Sequence, residues 1–132
     1  MKTLVVEDDF TSRLLLQEIL KGFGTVHVAV NGKEAVEAVR AALVSHQAYD
    51  LICLDVMMPV MDGQVALKEI RALEAEMSGV SPPKRARIVM TTAVSDGESV
   101  KQALGEHCDG YLLKPVEKAR LLNDLRKLGL IR

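Results

Sequence analysis

Apolar residues along this 132-residue chain gather into short stretches at positions 3–6, 25–30, 50–54, 87–91 and 110–113. Each is too short to be a helix and reads as a strand. Between them, apolar positions return at helical spacing. Leu15, Ile19 and Leu20 mark a first helix, Val36, Val39 and Leu43 a second, and Leu67, Ile70 and Leu73 a third. Val100, Ala103 and Leu104 mark a fourth, and Leu121, Leu122, Leu125 and Leu128 a fifth. Helix starts are signalled too. Asn31 with Glu34, and Ser95 with Glu98, have the spacing of a capping side chain and its reciprocal partner, and Pro115 suits a first helical position. Strand and helix alternating five times, with strands written as continuous apolar runs, imply right-handed crossovers and a parallel sheet covered on both faces. The expectation is a three-layer α/β domain filling residues 1–132 as a single unit. The polar stretch 77–86, with Ser78-Gly79 and Pro82-Pro83, is expected to be a surface loop.

Composition narrows the function classes. Hydrophobic residues are 48% of the chain but aromatic ones only 3%, with no tryptophan, so aliphatic side chains must build the core. A net charge of -1, from 17 basic and 18 acidic residues, leaves no broad positive field and disfavours direct nucleic-acid binding. No run approaches a membrane span, and the first residues lack the apolar stretch and cleavage site of a secretory signal. Cys53, inside the apolar run Leu51-Ile52-Cys53-Leu54, and the distant Cys108 suit reduced thiols better than a bridge or metal site. A cytoplasmic protein is expected. His27, His46 and His107 have no metal-ligand spacing and read as surface or packing residues.

In open parallel sheets the chemistry gathers beyond the carboxyl ends of the strands. There the chain places Glu7, Asp8 and Asp9 after the first run, Asp55 after the third, Thr91 and Thr92 at the fourth, and Lys114 and Pro115 after the fifth. Clustered carboxylates need a compensating cation, and hard oxygen ligands with room for water suit Mg2+. A carboxylate beside such an ion can act as a nucleophile toward phosphorus. The ion, a lysine and a hydroxyl then offset charge on the phosphoryl oxygens.

Four segments carry a family likeness. They are Val5-Val6-Glu7-Asp8-Asp9, the run from Tyr49 through Asp55-Val56-Met57-Met58-Pro59 to Asp62-Gly63, Met90-Thr91-Thr92-Ala93, and Gly110-Tyr111-Leu112-Leu113-Lys114-Pro115. Together they resemble response regulator receiver domains, of the single-domain, chemotaxis-regulator-like kind in two-component signalling. The resemblance implies a flavodoxin-like (βα)5 fold with sheet order 2-1-3-4-5. It also implies that Asp55 is the phosphoacceptor and that Glu7 and Asp8 form the acidic Mg2+ pocket, with Asp8 the direct ligand. Asp9 is left to cap the first helix. Met57 matches the position whose backbone carbonyl completes the metal site. Thr92 matches the switch hydroxyl, Tyr111 the aromatic that follows it, and Lys114 the salt-bridging cation, in a cis bond to Pro115. With Met57 and Val94 both apolar beside the approach to the phosphoryl group, a long-lived phosphorylated state is expected. Asp62 reads as a helix cap, and the methionines at 57, 58 and 61 as packing groups.

The implied function is a phosphorelay switch. A sensor histidine kinase or histidine phosphotransfer protein donates the phosphoryl group. Asp55 accepts it, and the face formed by the fourth helix, fifth strand and fifth helix responds to control a separate protein target. Catalysis would be limited to self-phosphorylation and slow autodephosphorylation, with neither nucleic acid nor membrane as a direct partner. A homodimer on the responding face is left open. The alternative is an aspartyl-phosphate-forming Mg2+ phosphohydrolase, whose family usually carries a second acid two residues after the nucleophile, where this chain has Met57. A flavin carrier on the same kind of sheet would need a hydroxyl- and glycine-rich phosphate loop where Glu7-Asp8-Asp9 stands.

Overall fold

Strand β1 (Thr3–Val6) is buried at every position, as its unbroken apolar run requires, and lies inside a five-stranded sheet. The computed structural model describes residues 1–77, 85–93 and 107–132. The remaining strands are β2 (Val26–Ala29), β3 (Leu51–Asp55), β4 (Arg87–Thr92) and β5 (Gly110–Leu113). All pair in parallel, in the order β2-β1-β3-β4-β5. The described helices are α1 (Phe10–Leu20), α2 (Gly32–Val44), α3 (Gly63–Glu76) and the C-terminal α4 (Lys118–Lys127). The fourth helical pattern, the Ser95 and Glu98 pair, Val94 and most of the expected loop at 77–86 lie outside the described residues.

Strand alternation splits the core in two. Leu4, Val6, Ile52, Leu54, Ile88 and Met90 meet Val39 and Leu43 of α2 and Leu67 and Ile70 of α3 on one face. Val5, Leu51, Cys53, Val89 and Leu112 meet Leu16, Ile19 and Leu20 of α1 and Leu121 and Leu125 of α4 on the other. Two covered faces explain why the central strands read as continuous hydrophobic runs.

Three expectations are corrected. In α1 the buried stripe is Leu16, Ile19 and Leu20, while Leu15 is 44% exposed. Leu14-Leu15-Leu16 is a run of three, so helical spacing alone does not decide which leucine faces the sheet. Strand β2, at the edge that the expected order gives it, leaves His27 and Val28 exposed, so it lacks the two covered faces expected of every strand. Pro115 precedes the α4 N-cap, Glu117, by two residues and starts no helix. The Lys114–Pro115 bond is cis.

Capping follows the sequence closely. Asp9 accepts from the Ser12 N–H at 2.9 Å and Asp62 from the Val65 N–H at 3.0 Å. Asn31 accepts from the Glu34 N–H at 2.9 Å, and Glu34 Oε1 accepts in return from the Val30 N–H at 3.2 Å, one residue before the cap. At the amino end of the sheet, far from the acidic cluster, Arg71 of α3 forms a largely buried network. It donates to Glu74 at 2.7 Å, Asp109 at 3.1 Å, and the carbonyls of Ala86 and His107 at 2.8 and 2.7 Å. Glu74 in turn accepts the Ala86 N–H, and Asp109 the Ile88 N–H. Among the described residues, no helix is long and apolar enough to cross a membrane.

Candidate functional site

The carboxyl ends of β1, β3 and β5 bring four of the expected side chains together. Asp55 is the last residue of β3 and only 2% exposed, and Glu7, one residue past β1, is 1% exposed. Asp8 faces solvent beside them. Glu7, Asp8 and Asp55 each offer a carboxylate oxygen within 4.8 Å of the others. Lys114 Nζ, arriving from the end of β5, lies 2.7 Å from Glu7 Oε1 and 3.0 Å from Asp55 Oδ2.

Local backbone geometry holds Asp55 in place. The Val56 N–H donates to the Thr91 carbonyl, and the Met57 N–H reaches Asp55 Oδ1 at 3.3 Å. Gly63, at the start of α3, donates to the Val56 carbonyl and packs so closely that an added Cβ would fall on the Asp55 carbonyl oxygen. Only glycine lets α3 approach the Asp55 peptide this closely.

The electrostatics are unbalanced. Burial, followed by the neighbouring Asp55 carboxylate, pushes Glu7 up to about 7 against the opposing pull of Lys114. Burial would depress the Lys114 ammonium, but its bonds to Glu7 and Asp55 outweigh that and raise it, keeping it charged. Glu7 Oε2 is buried with no hydrogen-bond partner. Three carboxylates against one ammonium, with an orphaned buried oxygen among hard oxygen donors, fit a divalent cation of the Mg2+ kind. Asp9 stands apart: the Ser12 N–H that it caps holds its carboxyl below the usual range.

The other expected residues are nearby but not in the cluster. Thr92 ends β4, is buried, and turns its hydroxyl to the Ala93 carbonyl at 3.2 Å. Its peptide carbonyl accepts from the Lys114 N–H at 2.7 Å. Thr91 lies opposite Asp55 in the ladder and helps line a cavity of about 50 Å³ with Glu7, Lys114, Leu16 and Val116. Tyr111 is half-buried against the α2 and α3 side of the core. The Met57 side chain is 64% exposed at the mouth of the site. Sequence reasoning passed over Arg13, whose Nη1 donates to the Glu7 carbonyl at 3.0 Å and the Asp8 carbonyl at 3.4 Å. The available signal was a cation four residues into a helix that begins beside an acidic turn.

An acidic pocket at the carboxyl edge of a 2-1-3-4-5 sheet restricts the choice of family, and a comparison decides it. The family model of the response regulator receiver domain matches residues 3–126. This chain belongs to that family. The receiver is 39% identical over 120 residues to the sensor protein GacS of Pseudomonas syringae pv. syringae, covering 91% of this chain but 12% of that protein. It is 32% identical over 128 residues to the chemotaxis protein CheY of Bacillus subtilis, covering 96% of this chain and 95% of that one. The receiver domain of the sensor histidine kinase PA1611 from Pseudomonas aeruginosa, solved with a magnesium ion coordinated in its active-site cleft, superposes with a TM-score of 0.75. It shares 29% identity, and the match covers 97% of each chain. Several relatives are far longer, so the receiver spans only a small part of them. The receiver is thus a phosphoacceptor module of two-component signalling, on a flavodoxin-like fold.

Proposed function

We propose that Asp55 accepts a phosphoryl group from a phosphohistidine of a sensor kinase or phosphotransfer protein, and that Glu7, Asp8, Asp55 and the Met57 carbonyl hold Mg2+ for that step. One observation carries the reading: buried Asp55 and Glu7 share a single ammonium, Lys114, and leave Glu7 Oε2 unpaired. A carboxylate oxygen of Asp55 attacks phosphorus. The phosphorus–nitrogen bond breaks, its electron pair leaves with the imidazole, and Asp55 becomes an acyl phosphate. Bound Mg2+ supplies charge neutralisation at the phosphoryl oxygens. Lys114 pairs with the same oxygens once Asp55 is esterified, and the Thr92 hydroxyl leaves Ala93 to bond them. Tyr111 then repacks, and the surface of β5 and α4, with the segment preceding β5, presents a changed face to a separate protein target.

Exposed Met57 keeps hydrolytic water poorly aligned, so autodephosphorylation is slow. Met57 also stands where the phosphohydrolase reading needs an acid. The receiver works in the cytoplasm, and residues 1–132 act as one domain. Acetyl phosphate with Mg2+, followed by intact-mass measurement, tests the acceptor. The wild type gains one phosphoryl group and Asp55→Asn gains none, whereas equal gain in both sinks the assignment.

A further inference from the structure

Glu7 and Asp8 lie beyond the paired positions of β1, where the ladder no longer fixes their carbonyls. The Glu7 N–H is still held by the Ala29 carbonyl at 3.0 Å. What holds the carbonyl side is Arg13. One guanidinium nitrogen donates to the Glu7 carbonyl at 3.0 Å and reaches that of Asp8 at 3.4 Å. The guanidinium carbon sits 5.6 Å from the centre of the Phe10 ring, within cation–π range. The Asp9 side chain closes the same turn through the Ser12 N–H.

The location argues against a role in helix stability. A cation in the opening turn of a helix opposes the macrodipole, and the Asp9 cap already serves that end of α1. Arg13 therefore works against α1 and for the turn before it. Rotation of the Glu7–Asp8 peptide would swing both carboxylates, since each hangs from an adjoining α-carbon. A donor shared by the two carbonyls limits that rotation, and its charge offsets repulsion among three clustered carboxylates.

We infer that Arg13 is a positioning residue for the cation pocket, fixing the spacing of Glu7 and Asp8 through their peptide carbonyls without touching the ion. The inference rests on the reading of Glu7 and Asp8 as the Mg2+ pocket. Residues that orient metal ligands from behind typically carry about tenfold or more in metal affinity. Mg2+ titration by calorimetry, on protein without phosphodonor, tests it directly. Arg13→Gln weakens Mg2+ binding about tenfold. Arg13→Lys keeps the charge and a single donor nitrogen, which is all that the two carbonyls use, and retains most of the affinity; a loss as large as that of Arg13→Gln would count against a role through those carbonyls. Arg40→Gln, on the exposed side of α2, leaves it unchanged. Wild-type affinity in Arg13→Gln overturns the inference while the pocket stands. A wild type that takes up no Mg2+ overturns the pocket itself. Should Arg13→Gln fail to fold, Arg13→Met takes its place, keeping an apolar stem without a donor, and undiminished affinity in it refutes the role.

Discussion

Val60 sits in the loop after Asp55 with φ of +70°, a left-handed conformation that a β-branched residue adopts only under strain. Its side chain is 78% exposed, so no packing offsets that cost. Left-handed backbone costs a residue with a Cβ about 1–2 kcal/mol, and glycine gives back about 0.5–1 kcal/mol through its freer unfolded chain. Val60→Gly should therefore raise stability to urea by about 0.5–1 kcal/mol. A loss of stability would show that the loop relaxes in solution. Cys53 makes a second point at this scale. Full burial pushes its thiol up to about 12, whereas an unfolded thiol ionises near 8.5. Its contribution to stability is whole below about 8.5 and declines as pH climbs toward 12, because only the unfolded chain can release the proton. Native-state alkylation should label Cys108 well ahead of Cys53.

Among the elements, α3 is tied to the sheet twice, by different means. At its start Gly63 touches the end of β3, and near its end Arg71 binds the approaches to β4 and β5. The side chains of Arg71 and Glu74 are each 9% exposed and that of Asp109 12%, so removing the arginine leaves Glu74 buried with the Ala86 N–H but without that cation, and Asp109 with the exposed Arg87 for a cation. Arg71→Met should lower stability by about 3 kcal/mol. A chemical denaturation midpoint unchanged from wild type would refute that account. This network was illegible in the sequence, because its members lie 38 residues apart and two of its partners are peptide carbonyls. Helical spacing identified α2 and α3 through Val39, Leu43, Leu67 and Ile70, since apolar residues occupy one face of each. It misjudged α1, where three consecutive leucines leave the facing residue to be set by the sheet. It also placed Pro115 in a helix, although proline suits the preceding turn equally well.

For the whole molecule, the site was readable because four short motifs fall at strand ends, and parallel topology carries strand ends to one edge. Glu7, Asp8, Asp55 and Lys114 meet as that argument requires. The orientation of Thr92 toward its own chain was not readable, since a hydroxyl's rotamer depends on neighbours remote in sequence. The joined site predicts a linked pH and metal response. Glu7, normally near 4.5, is pushed up to about 7 by burial and Asp55, so without metal the folded state holds a proton that the unfolded chain releases. That contribution to stability is full below about 4.5 and lost as pH rises through about 7. A bound cation must expel the same proton, so stabilisation by Mg2+ should grow across that window. Melting curves at pH 5 and pH 7.5, with and without Mg2+, check this. An equal Mg2+ shift at both would contradict it.

Gly63 extends this to heredity. Its contribution is atoms that are not there, so no reagent can label it and no truncation can probe it. Any base change that creates a side chain at this codon presses on the peptide of Asp55. Asp55 is therefore guarded by a second position that carries no chemistry of its own. Lineages free to vary the exposed loop between the two should find position 63 nearly as closed to change as position 55.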